Sequence, residues 1–323
     1  MGIVNRMASL RLTAALMVMF CIGILVAYLG DFRFAPVIAA SFGALALNLL
    51  AMIVTNPRFR QQRPLFIFHL ALLAIILLIA LGRMIYLKGE AELVEGLEFD
   101  GELVTVDAGP WHPWRLDRAR FINQGFSIAY ASGLRRLETR NKVSWVDADG
   151  QNQEAVIGDD KPLVLEGYRF YTTWNKGFSL MFEWTPDGGV PGVGSVNLPS
   201  YPINALTQAQ QWALPNLKEP LWSMLLFEGD LIPADQDGHF RLPDNYRVVV
   251  RYGDQRWELI PRENQVIALP GGTLRYLELR SWMGYMLLWD ATIPWLLAAS
   301  TVAVLALAWH FWAQFSRTPW NQD

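Results

Sequence analysis

One cysteine, Cys21, stands in 323 residues. It excludes an intramolecular disulfide, a CxxC redox pair, a cysteine zinc site and a prosthetic group attached through a CxxCH pair. Histidine is nearly as scarce. His69, His112, His239 and His310 are the full set, which leaves few positions for metal or acid–base chemistry. Charged residues make up 18%, against the usual quarter or so. The net charge of −3 carries no basic footprint for a phosphate backbone, so no nucleic-acid partner is expected. No Gly-rich phosphate loop follows a strand, no Ser-x-x-Lys marks a nucleophile, and no histidine neighbours a serine elbow. Nothing argues for an enzyme that is catalytic alone. What the chain does have is apolar surface: 52% hydrophobic residues, 14 Trp and a mean hydropathy of +0.19. That composition describes a membrane protein with a sizeable soluble part.

Four segments reach the roughly 20 apolar residues that a membrane crossing needs. They run from about Leu12 to Gly30, Phe34 to Val54, Leu65 to Gly82 and Ile293 to Ala313. The first is not a cleavable signal, because it is long, lacks a small-x-small site and is followed at once by a second span. Basic residues set the direction. Arg6 and Arg11 precede the first span. Arg58, Arg60 and Arg63 fill the second loop without an acid, while the first loop has only Asp31 and Arg33. The N-terminus, the second loop and the C-terminus with Arg317 are therefore expected in the cytoplasm, and the long region between spans three and four outside.

That outer region alternates like strands. Tyr246 to Tyr252 and Trp257 to Ile260 flank the turn Gly253-Asp254, and Asn141 to Gly150 and Leu165 to Trp174 read similarly. Pro186 to Ser195 reads as a Gly-rich loop, and Ala205 to Leu214 as a short helix. The expected fold class is an α + β membrane protein. Residues 1–87 carry three transmembrane helices, 88–290 form a large extracytoplasmic β-rich domain, and 291–323 carry the fourth helix and a short cytoplasmic tail.

His69 is the only ionisable side chain within its span, PLFIFHLALLAIILLIALG. An intramembrane imidazole needs a partner and reads as functional by default. It lies roughly 6–8 Å inside Pro64 along the helix. A neutral imidazole there is either an axial iron ligand or is bonded to a carbonyl of a neighbouring helix. His310, in LAWHFWAQF, sits in the last turn of span four, on the same side. The two histidines could share a depth, although the flanking Trp309 and Trp312 favour an interfacial belt there. His112, in GPWHPW, reads as a packed loop residue, and His239, in DQDGHF, as a solvated turn. Trp282, Trp289 and Trp295 read as interface anchors, and Arg83 as a snorkelling headgroup contact.

Several stretches resemble the ResB family of cytochrome c biogenesis proteins, of the Ccs or System II pathway. ASLRLTAALMVMF, Ala8 to Phe20, is similar to that family's opening helix. NPRFRQQRPLFIFHLALLAIILLIALGRMIYLKGEAELVEG, Asn56 to Gly96, is similar to its third helix, with a histidine early in the helix at His69. Leu116 to Gly150, ending in VDADG, and Asp160 to Ser179 resemble two stretches of its β-domain. WDATIPWLLA, Trp289 to Ala298, resembles its approach to the last helix, although Ala291 stands where the family usually has proline. The domain is short for the family.

The resemblance implies a membrane subunit that works with a CcsA-like partner. Together they would carry haem b across the inner (plasma) membrane, as transient cargo, and present it to the CxxCH cysteines of apocytochrome c. His69 alone matches the family by position, as one of a transmembrane histidine pair whose other member lies on the partner. A thioredoxin-like reductant would supply the thiol chemistry that this chain lacks. Arg58, Arg60 and Arg63 would then lie near the haem propionates, or serve topology alone. The other reading is a membrane-anchored, non-catalytic scaffold or sensor with an extracytoplasmic β-sandwich, in which His69 serves helix packing.

Overall fold

Residues that are apolar on every face make helices fit for hydrocarbon, because a helix satisfies its own backbone groups. The computed structural model describes residues 2–29, 34–158, 160–203, 207–215, 217–261, 263 and 265–316. Six helices lie among them: α1 (Gly2–Met7), α2 (Leu10–Leu29), α3 (Phe34–Thr55), α4 (Pro57–Gln61), α5 (Arg63–Ile85) and α6 (Ile293–Phe315). Three are long and apolar enough to cross a membrane: Pro36–Thr55 of α3, then α5 and α6. α2 is helical over 20 residues, with Leu10–Val26 as its described apolar stretch. Asp31, Arg33 and Arg317 lie outside the described residues, as do the side chains of Arg58 and Arg60.

The chain divides into two compact units. One comprises Met1–Lys88, Asp107–Pro113 and Trp289–Asp323, and the other Gly89–Val106 and Trp114–Leu288. In the helical unit, Pro64 in the first turn of α5 suits a position whose N–H has no intrahelical acceptor. α6 likewise starts Ile293-Pro294, and Asp290 accepts from both the backbone N–H and the hydroxyl of Thr292, at 2.8 and 2.6 Å.

The strands are β1 (Leu87–Val94), β2 (Thr105–Ala108), β3 (Ile122–Ala131), β4 (Arg135–Val146), β5 (Asn152–Ile157), β6 (Leu163–Leu165), β7 (Tyr168–Pro186), β8 (Gly192–Asn197), β9 (Ala209–Trp212), β10 (Leu221–Phe227), β11 (Gly238–His239), β12 (Tyr246–Tyr252), β13 (Gln255–Leu259), β14 (Val266–Leu269) and β15 (Gly272–Trp289). The largest sheet runs β2-β1-β15-β7-β6, with β14 also on β15 and β8 on β7. Two four-stranded sheets run β13-β12-β10-β9 and β11-β3-β4-β5.

The alternating strands point one face inward. Phe178, Leu180, Phe182 and Trp184 of β7 join Val248 and Val250 of β12, Leu221 and Leu225 of β10, and Leu274 and Tyr276 of β15 in one core. A second aromatic group packs Phe99, Phe121, Phe170 and Tyr285 edge to face. Three buried polar side chains pin it. The Tyr285 hydroxyl donates to Asn141 Oδ1 at 2.7 Å, Asn141 donates to Asn123 Oδ1 at 2.8 Å, and Asn123 donates to the Leu93 carbonyl at 2.9 Å.

Two local expectations change. Within the expected helix 205–214, residues 209–212 form β9, because their pairing with β10 overrides a helix-compatible composition. The expected loop 186–195 ends inside β8, which pairs with β7 despite its two glycines. The expected hairpin forms as read, closing at Tyr252 and Gln255 around Gly253, whose φ is +56°.

Candidate functional site

α5 positions His69 by simple periodicity: its ring leans back one turn onto the carbonyl of Leu65. The Nδ1 to Leu65 oxygen distance is 2.7 Å. A carbonyl oxygen only accepts, so Nδ1 carries a proton, and in the neutral ring Nε2 is then the lone-pair nitrogen. No described residue hydrogen-bonds Nε2. This is the tautomer in which an imidazole binds iron through Nε2 while a carbonyl fixes its other nitrogen. The expected carbonyl partner on a neighbouring helix is instead on the same helix. Two phenyl rings flank the imidazole: Phe68 edge-on at 5.2 Å, and Phe59 of α4 at 4.3 Å with the rings tilted by 53°. Phe59 is buried, so the short helix α4 packs against the α5 turn that carries His69. Arg63 opens α5 and is exposed.

His310 has a different setting. The Gln314 side-chain amide nitrogen lies 3.3 Å from its Nε2, and since that nitrogen only donates, Nε2 accepts. Its ring lies 5.7 Å from Phe311, and Trp309 and Trp312 beside it are exposed. Depths follow from one close approach. A Cβ on Gly82 would stand 2.9 Å from the Thr292 hydroxyl, so the end of α5 meets the start of α6 and the two helices run antiparallel. From that point His69 lies about 20 Å back along α5 and His310 about 27 Å along α6, at about 1.5 Å per residue. Counted along the helices their Cα atoms differ by about a turn and a half, and because side chains lean toward their own helix N-terminus, the opposite leans of the two rings narrow that gap.

His112 is buried in the helical unit. Its Nδ1 lies 2.8 Å from the Ile85 carbonyl, and its ring meets Trp289 edge-on at 4.9 Å. Burial pushes its pKa down, and the bond to Ile85 opposes the shift. His239 is an exposed strand residue of β11 paired with Ala129. Among the described residues no group of three His, Cys, Asp or Glu could hold a metal ion. The buried tyrosines offer no base. Burial pushes the Tyr130 hydroxyl up to about 12, and Tyr276 and Tyr285 higher still.

The tryptophans divide. Trp282 is buried and donates to the Leu198 carbonyl at 3.1 Å, so it is a core residue and not an interface anchor. Of the other two expected anchors, Trp289 packs on His112 and Trp295 is largely exposed, at 67%. Arg83 lies 5.5 Å from the centroid of the Tyr86 ring.

One polar residue inside a helix apolar enough to cross a membrane is not among those the sequence flags. Asn48, 2% exposed within α3, donates to the carbonyls of Met7 and Ser9 and accepts from the Thr13 hydroxyl at 2.6 Å. It adds a second donor to carbonyls that already accept a backbone N–H where α1 breaks from α2, and so ties α3 to that bend. The signal was an amide inside an apolar run, which is costly without partners. No family model matches the chain, and no curated protein matches it.

Proposed function

We propose that this chain is a ResB-like membrane subunit of a cytochrome c maturation complex, which helps carry haem across the inner (plasma) membrane and presents it, with a CcsA-like partner, to apocytochrome c. In this reading α2, α3, α5 and α6 all cross, both termini are cytoplasmic and the β-rich unit is extracytoplasmic. The single observation that supports it best is His69, whose Nδ1 is tied to Leu65 and whose Nε2 has no hydrogen-bond partner among the described residues. A neutral, fixed imidazole in an apolar helix suits the iron of a flat, apolar cargo. The family resemblance assigns the second axial ligand to the partner, and thiol chemistry falls to a separate reductant. A scaffold or sensor is the second reading. The tie to its own helix and the Phe59 contact would then be all that His69 does.

The experiment compares haem-to-protein ratio and Soret absorbance in the co-purified complex. His69→Ala is expected to lose most of the bound haem while the protein still inserts, and added imidazole to restore part of it. An unchanged ratio in wild type, His69→Ala and His69→Ala with imidazole would leave the scaffold reading standing.

A further inference from the structure

The Asp107–Pro113 loop belongs with the helices rather than with the sheets that flank it in sequence. The last carbonyls of a helix have no intrahelical donor. Here the loop supplies donors at the end of α5. Trp111 N–H donates to the Met84 carbonyl at 2.8 Å, the His112 ring bonds to the Ile85 carbonyl at 2.8 Å, and Gly109 N–H donates to the Tyr86 carbonyl at 2.9 Å. The approach is so close that a Cβ on Gly109 would sit 2.3 Å from the Met84 carbonyl group. His112 and Trp289 close the inner side of the loop. Trp111 is left pointing away, with 64% of its surface exposed.

We infer that this loop is seated in the interfacial layer of a lipid bilayer, with the Trp111 indole as its anchor. Its level is fixed by the end of α5, where the apolar surface of that helix gives out. Trp295, 67% exposed in the first turn of α6, and the Arg83–Tyr86 pair lie within about a helical turn or so of the same level. An indole has an apolar body and one donor, and gathers where hydrocarbon meets headgroups. A lipid surface is favoured over a protein partner because the exposed indole stands at the end of α5, which with α6 is long and apolar enough to span. The inference rests on α5 and α6 crossing the membrane.

The test uses the full chain in phosphatidylcholine–phosphatidylglycerol vesicles, in a Cys21→Ser background. A nitroxide is placed by Trp111→Cys, by Asp149→Cys as an aqueous reference, and by Leu297→Cys as a lipid reference. Power saturation compares collisions with oxygen and with a water-soluble nickel chelate. The label at 111 is expected to show a severalfold higher oxygen-to-nickel ratio than the label at 149. A ratio at 111 equal to that at 149, with 297 in lipid, overturns the inference. A label at 297 that itself reads as aqueous overturns the membrane crossing instead. A label at 111 shielded from both collision partners points to a protein partner, and also overturns the inference. If the cysteine variant fails to fold, p-benzoylphenylalanine at 111 should form lipid adducts on illumination, and their absence overturns the inference.

Discussion

Asn48 and His112 each tie two segments distant in sequence together through one polar side chain. Asn48→Leu leaves the Met7 and Ser9 carbonyls and the Thr13 hydroxyl without their shared partner. Hydrogen bonds between membrane helices contribute about 0.6–2 kcal/mol, so a loss of about 1–2 kcal/mol is expected, read as a lower melting midpoint in detergent. His112 adds a pH dependence. Its folded pKa lies below the ordinary 6.5, chiefly through burial. The opened loop then binds the proton more readily than the seated one. The seat is at full strength above the ordinary pKa and weakens as pH falls through it toward the lowered value. Hydrogen exchange of the 107–113 amides, corrected for intrinsic rates, should lose protection from pH 8 to pH 5. His112→Asn should remove that dependence. A wild-type loop equally protected across the range would contradict the burial argument. His69 was legible in the sequence because a charge-capable group among apolar residues stands out. Asn48 was not, because an amide has no charge to flag it and its partners lie on another element. The seat under His112 depends on carbonyls of a helix that precedes it by some 27 residues, which no local pattern reveals.

α5 and α6 meet through a missing side chain. Gly82 lets Thr292 approach, and Thr292 cannot swing aside freely because Asp290 holds both its N–H and its hydroxyl. Small residues allow this kind of close helix contact in membranes. Gly82→Val is expected to destabilise the helical unit by about 1–3 kcal/mol through overpacking. Thr292→Ala in the same chain should return part of that loss, and a double-mutant cycle on melting midpoints measures the coupling. Additive effects would mean that the two residues do not press on one another. At this scale the helices and the Tyr246–Tyr252 hairpin were readable, because long apolar runs and a two-residue turn between alternating strands are local signals. The strands at 192–197 and 209–212 were not. Glycines in one and helix-tolerant Ala and Gln in the other carry weak local preference, and each is a strand because its neighbour in the sheet supplies the hydrogen bonds. Trp282 was misplaced for a related reason. Its run toward α6 reads as interfacial, yet it lies in β15 within 281–285, where every residue is buried, and its indole packs with Val94 and Met181.

The whole molecule turns on parity. α3, α5 and α6 are long and apolar enough to cross. If they alone cross, the segment before α2 and the end of α6 lie on opposite sides. If α2 crosses too, they share a side. α2 is helical over 20 residues and thus about 30 Å long, the thickness of a bilayer's hydrocarbon core. It carries no charged residue after Arg11, so its length lacks the polar face a surface-lying helix needs. Crossing is therefore expected. The basic loop before α5, with Arg58, Arg60 and Arg63, then sets the cytoplasmic side. Reporters active on only one side of the membrane test this at four points: before α2, at Gln62, after Gly150 and after Ser316. The first, second and fourth should read as cytoplasmic and the third as extracytoplasmic. A first reporter on the side opposite Ser316 would leave α2 on the membrane surface and the family's four-span layout unmet. An inverted pattern at Gln62 and Gly150 would place His69 near the outer face, away from the side where the proposed cargo enters, and the haem reading would fail on geometry before any spectrum was recorded.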